Sequence, residues 1–182
     1  MPTPVLNHVD CQGPAGAHRM AYWSWGDAQA PHLVVCVHGL SRQGRDFDVL
    51  ARALVAAAGP GGLRVACLDV AGRGESDWLA DPQHYQLPTY VGDMLQLLGH
   101  LHRQAPVRRL DWVGTSMGGL IGMALCGTPD LPLPVPVARL VLNDVGPAIA
   151  WQAIARIAGY LGQSMRFAGV DEAVDALATI SA

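Results

Sequence analysis

Ser116 lies between small residues in Gly114-Thr115-Ser116-Met117-Gly118, where an apolar run at 108–114 gives way to a helical pattern at 117–127. This G-x-S-x-G spacing suits nucleophilic catalysis. A serine on a sharp strand-to-helix turn lifts its oxygen clear of the sheet, and the chain passes so closely that its neighbours must be small. The helix that follows points its N-terminal dipole at developing negative charge. A plain strand–helix turn has the same outline, so the motif by itself leaves both readings open.

A nucleophile of this kind needs two backbone N–H groups aimed at one oxyanion. Met117, directly after Ser116, supplies one candidate. The other is Leu40, in "VVCVHGLSRQGRDFD" (34–48), where an apolar run ends in His38-Gly39-Leu40. Gly39 permits a close backbone approach, as do Gly114 and Gly118 around the serine. His38 is either a base or a brace for its own loop; a histidine in a His-Gly pair at a strand end favours the brace. A third polar turn, "LDVAGRGESDW" (68–78), holds Asp69, Gly72, Gly74 and Ser76. It lacks the full G-x-G-x-x-G of a dinucleotide loop and no helix starts at once, so it reads as a structural turn beside the site.

The elements that must hold these residues alternate. Strand patterns fall at 18–25, 32–37, 63–70, 108–114 and 137–144. Helical patterns fall at 46–58, 88–104 and 117–127. Alternation of this kind implies an α/β fold with a mostly parallel sheet and helices on both faces. Ligands in such sheets bind beyond the carboxyl ends of the strands, where all the motifs above lie. Residues 145–182 change character and read as two helices with no further buried strand. "LPLPVPV" (131–137) reads as an extended connector.

Composition narrows the function classes. Of 182 residues, 51% are hydrophobic and 15% charged, against roughly 25% charged in an average domain, which argues for a large core. The net charge is −3 and the pI about 6.1, so nothing favours nucleic acid or an anionic membrane as partner. All twelve basic residues are Arg. Cys11, Cys36, Cys67 and Cys126 show no C-x-x-C spacing, so neither a metal site nor a disulfide framework is expected. No secretory leader and no membrane-length apolar run is visible, and the cytoplasm is the expected location.

Taken in order, "HGLSRQGRDFD", "DVAGRGESDW", "YQLPTYVGDM", "GTSMGG" and "LVLNDVGP" resemble the α/β-hydrolase family. The likeness is closest to its bacterial serine hydrolases of the esterase and carbon–carbon-bond hydrolase type. It spans residues 18–147. It implies Ser116 as nucleophile, an oxyanion hole at Leu40 and Met117, a small-molecule substrate and no cofactor or metal. It also implies a hydrolase core over 1–146 and the start of a helical cap over 147–182.

The triad of this family runs Ser, then Asp or Glu, then His. After Ser116 come Asp130, Asp144, Asp171, Glu172 and Asp175, but no histidine; all seven lie upstream, at 8, 18, 32, 38, 84, 100 and 102. A full eight-stranded sheet needs about 240 residues before any cap. The chain is therefore expected to be an N-terminal portion, ending before the last two strands and the catalytic histidine. Asp144 is a possible triad acid, since some relatives place it there; the alternative is a loop or hinge role beside Gly146-Pro147. The strand at 137–144 would then lie at the sheet edge and invite self-association. The leading class is a serine hydrolase of an ester, thioester or C–C bond next to a carbonyl. The others are a non-catalytic binding domain or inactive fragment, and a cofactor-free perhydrolase or oxidase on the same scaffold.

Overall fold

Apolar residues at nearly every position of His32–Val37 and Arg64–Leu68 imply strands covered on both sides, and the computed structural model has them at the centre of a sheet. It describes residues 3–14, 16–159 and 166–181. In chain order the strands are β1 (Val5–Gly13), β2 (Gly16–Gly26), β3 (His32–Val37), β4 (Arg64–Leu68), β5 (Arg109–Thr115) and β6 (Val137–Asn143). The α-helices are α1 (Asp48–Ala58), α2 (Leu87–Gln104), α3 (Met117–Gly127), α4 (Trp151–Ala158) and α5 (Val170–Ser181). The sheet order is β1-β2-β4-β3-β5-β6. Pairings β3–β4, β3–β5 and β5–β6 are parallel; β1–β2 and β2–β4 are antiparallel.

The period-two alternation of the strands sorts the core into two layers. Leu33, Val35 and Val37 join Leu110 and Trp112 against Met94, Leu97 and Leu98 of α2 and Ile121 and Leu125 of α3. Val34 and Cys36 face the other way, with Val65 and Cys67, onto Phe47 and Ala51. Helices thus cover both faces. Each fully buried leucine here contributes enough that truncation to Ala costs about 2–5 kcal/mol.

Among the differences from the sequence reading, four bear on how the sheet and site are built. β1 was not anticipated. It is an edge strand with Val9 and Cys11 buried and Asp10 and Gln12 exposed, and a half-polar strand beginning near prolines looks like a loop in sequence. The helix expected at 46–58 opens with a 3-10 turn, Gly44–Phe47, before α1. The strand expected at 63–70 stops at Leu68, because Asp69 and Val70 leave the ladder to build the site. The strand expected at 137–144 stops at Asn143, since Asp144 takes a positive φ of 56°.

Residues 1–147 form one compact unit and 148–182 another. Within the second, α5 starts with Asp171 and Glu172 in its first turn, and the Glu172 carboxylate accepts a hydrogen bond from the Ala168 N–H at 2.6 Å, satisfying an end group and the helix dipole together. Part of the helical pattern expected over 146–167, namely 160–165, lies outside the described residues. No helix among the described residues is long and apolar enough to cross a membrane.

Candidate active site

The junction of β5 and α3 carries Ser116 with φ 47° and ψ −112°. A non-glycine residue there costs about 1–3 kcal/mol and persists only where its surroundings enforce it. They do so from three sides. The Ser116 N–H donates to the Asn143 carbonyl at 2.9 Å, which ties the turn to the end of β6. Its carbonyl accepts from the Gly119 and Leu120 N–H groups at 2.9 and 3.1 Å. The backbone of α3 also presses on the sheet: a Cβ at Gly118 would sit 2.0 Å from the Val37 carbonyl oxygen, and one at Gly114 would sit 2.3 Å from that of Gly118. The buried Trp112 indole donates to the Gly118 carbonyl at 3.0 Å and locks this approach. Ser116 makes no side-chain cap to α3, so its hydroxyl is not consumed by the helix.

The His38-Gly39-Leu40 loop runs beside the serine. A Cβ on Gly39 would stand 3.6 Å from Ser116 Cβ. His38 is buried, its Nδ1–H donating to the Gly39 carbonyl at 2.6 Å and its Nε2 accepting from the Val70 N–H at 3.0 Å. Burial holds its pKa below the ordinary 6.5, although the Gly39 carbonyl and Asp69 pull the other way. The ring is therefore a neutral crosslink between the loops after β3 and β4, with no nitrogen left for Ser116.

Asp69 fills the turn that follows β4. Its fully buried carboxylate accepts from the Gly44 N–H at 2.6 Å, the Glu75 N–H at 3.0 Å and the Trp23 indole at 3.2 Å. Gly74, at φ +52°, leaves room for it; a Cβ there would lie 2.3 Å from the carboxylate carbon. The Gly72–Gly74 turn is thus wrapped around the Asp69 side chain, which leaves no cradle for a phosphate.

Arg73 was missed in the sequence. Its Nε donates to the Leu40 carbonyl at 3.0 Å and its Nη1 to Ala71 O at 2.7 Å and Tyr90 Oη at 2.9 Å. The guanidinium also lies over the rings of Tyr85 and Tyr90, 5.4 and 5.5 Å from their centroids. The available signal was a lone arginine between two glycines in a tight turn. Beside the elbow, an open cleft of about 390 Å³ is lined by His38, Gly39, Arg42, Asp46, Phe47, Thr115 and Asn143. An Arg42–Asp46 ion pair at 2.7 Å stands in its wall.

Among the described residues no histidine reaches Ser116 as a base. His18 pairs with Asp93, His32 with Asp111 and His84 with Asp81. His100 bonds Gln104, and His102 accepts from the Val107 N–H. His8 belongs to β1. No histidine is hydrogen-bonded to Ser116 or to Asp144 among the described residues. Asp144 follows the residue that holds the Ser116 N–H, and its side chain is exposed.

Comparison with known proteins agrees with this fold. A family model described as the alpha/beta hydrolase fold matches residues 32–167. The chain is 52% identical over 180 residues to a 3-hydroxybutyrate-oligomer hydrolase of Cupriavidus necator, which covers 99% of this chain and 57% of that protein. Among solved structures, a putative hydrolase from Rickettsia typhi superposes with a TM-score of 0.83 at 28% identity, over 97% of this chain and 60% of its own. An alpha/beta hydrolase from Novosphingobium aromaticivorans gives 0.72 at 35% identity, over 90% and 52%. The chain therefore spans little more than half the length of these relatives.

Proposed function

The chain belongs to the α/β-hydrolase family, and on that premise we propose that it carries the nucleophile and oxyanion hole of a serine hydrolase acting on esters. The observation that carries the reading is Ser116 held at positive φ on the elbow, with its hydroxyl not used to cap the helix and the Gly39 backbone alongside. Ser116 Oγ attacks the ester carbonyl. The charge that develops on the carbonyl oxygen is received by the N–H groups of Met117 and Leu40. The tetrahedral intermediate collapses, the alcohol leaves with a proton, and water then hydrolyses the acyl-serine.

The proton from Ser116 needs an acceptor. The side-chain hydrogen bonds of His18, His32, His38, His100 and His102 all lead away from the serine, so this reading takes the base, a histidine, from outside residues 1–182. Its acid partner is either Asp144, which sits one residue beyond the Ser116 anchor, or a carboxylate supplied with that histidine. The name of the Cupriavidus necator relative, at 52% identity, favours short oligoesters of 3-hydroxyacids over thioesters and C–C bonds. Such substrates present ester carbonyls with a hydroxyl or a further ester a few atoms away.

The test is a fluorophosphonate label followed by peptide mapping on the full-length protein, paired with hydrolysis of a linear 3-hydroxybutyrate dimer. Label on Ser116, and loss of both label and hydrolysis in Ser116→Ala, are expected. Label on another serine with Ser116 untouched would overturn the assignment.

A further inference from the structure

Three side chains that could ligate a metal meet in the core between β1, β2 and α2, in a layer the hydrolase chemistry does not use. Cys11 on β1 and His18 on β2 are direct cross-strand partners, and Asp93 comes from α2. Relative exposures are 0% for Cys11, 7% for His18 and 1% for Asp93. His18 Nε2 lies 3.1 Å from Asp93 Oδ2, and one ligand atom from each of the three residues lies within 4.8 Å of the other two. Around them stand apolar residues: Val9, Met20, Tyr22, Met94 and Leu97.

Among the described residues the cluster keeps one polar atom without a partner. His18 Nδ1 is buried and has no hydrogen-bond partner. Burial pushes the Asp93 carboxyl above its usual range, against the pull of His18 and Cys11. Burial, with Asp93 adding to it, pushes the Cys11 thiol up to about 12. A buried acid of this kind is costly unless charge is compensated on the spot. A divalent cation compensates it: a thiolate, a carboxylate and a neutral imidazole around one such ion sum to zero charge. One soft sulfur, one nitrogen and one oxygen donor is the ligand chemistry of zinc.

We propose that Cys11, His18 and Asp93 form a binding site for a zinc-class divalent cation that fastens the β1–β2 hairpin to α2. Zinc bonds of about 2.0–2.3 Å space tetrahedral ligands about 3.3–3.8 Å apart, so side-chain shifts of about 1 Å close the site around the ion. Binding releases the Cys11 thiol proton to solvent as the sulfur takes its place on the metal. The Cys11–His18 pair lies two residue pairs from the Gly13–Gly16 end of the hairpin. The ligands are separated by 7 and 75 residues in the chain, so no spacing motif announces them. The role is structural: the ion holds an edge hairpin that is otherwise joined to α2 by apolar packing and by the Gln12–Gln96 backbone clasp, with bonds of 2.8 and 2.9 Å.

The experiment uses the whole protein, stripped with a chelator and titrated with Co²⁺ as a spectroscopic stand-in and then with Zn²⁺. One equivalent of Co²⁺ is expected to give a near-ultraviolet thiolate charge-transfer band, displaced by Zn²⁺. Free zinc at a hundredfold excess over Kd should raise the melting temperature by about 5–10 °C. Cys11→Ser should abolish the band, and Asp93→Asn should weaken binding at least about tenfold. Cys126→Ala, which removes the exposed thiol, should retain full binding. If Cys11→Ser does not fold, His18→Gln read by the same spectrum decides. Absence of a saturable band, or a band that survives Cys11→Ser or disappears in Cys126→Ala, overturns the proposal. None of these readouts depends on hydrolytic turnover, so they stand or fall apart from the assignment of Ser116.

Discussion

Arg73 Nε donates to the carbonyl of Leu40 at 3.0 Å, and that carbonyl belongs to the loop that passes beside Ser116. The same guanidinium is held by Ala71 O and Tyr90 Oη and lies over two tyrosine rings. A planar fork meets these acceptors in fixed directions; a lysine point charge cannot meet all of them. On the proposed reading, Arg73 is therefore a positioning residue for the Leu40 N–H. In the full-length enzyme, Arg73→Ala and Arg73→Lys should both lower kcat by about 10- to 100-fold with a smaller change in KM, because a misplaced donor costs on that scale. Steady-state kinetics with fluorophosphonate labelling rates check this. Unchanged kcat in both variants would refute it.

Gly118→Ala tests the closeness of α3 to the sheet. The added Cβ would meet the Val37 carbonyl oxygen at 2.0 Å, a backbone atom that cannot rotate away. Destabilisation of about 3 kcal/mol or more is expected, together with loss of Ser116 labelling, since the elbow must open to relieve the clash. Urea denaturation measures the first and labelling of the folded fraction the second.

His38 sets a pH dependence of stability. Its folded pKa is depressed by burial below 6.5, while the unfolded chain keeps the ordinary value. Between the two values the unfolded state binds more protons, so stability rises with pH through that window. The His38 contribution is complete above about pH 6.5 and is lost as pH falls toward the folded pKa. The raised Asp93 carboxyl acts with the opposite sign from 3.8 upward. A comparison of wild type with His38→Asn isolates the histidine: the difference in stability between them should shrink as the pH drops from 7 to 5. A constant difference across that range would count against the crosslink.

Isolated residues 1–182 should hydrolyse p-nitrophenyl acetate negligibly, because a serine hydroxyl without a base is a weak nucleophile. Oxyanion donors and binding alone retain about 10³–10⁴-fold over water in an intact site, and less is expected here. Turnover that is robust and lost in Ser116→Ala would place the base among the seven upstream histidines.

β6 ends one side of the sheet, and Val141 on it is 51% exposed. An apolar edge offers its free backbone groups to another chain. Sedimentation velocity of residues 1–182 should show concentration-dependent association that Val141→Lys reduces. A monomer at high concentration in both proteins would exclude this edge as an interface.

What the sequence determined by itself was local. The elbow at 114–118 was legible because its steric demands fall on residues adjacent in the chain. The core strands and helices were legible because burial imposes periods of 2 and 3.6 on consecutive positions. The want of a histidine after Ser116 is a matter of order along the chain, and needed no fold. Tertiary structure decided what depends on side chains meeting from distant segments. His38 could have been base or brace until both ring nitrogens were found engaged, one by its neighbour Gly39 and one by Val70 from the next strand's loop. Arg73 became a support for Leu40 only when the loops after β3 and β4 came side by side. β1, with one polar face, became a strand only by pairing with β2. Cys11, His18 and Asp93 were unrelated letters until the hairpin folded onto α2, because the chain fixes the spacing of residues and only packing fixes the distance between them.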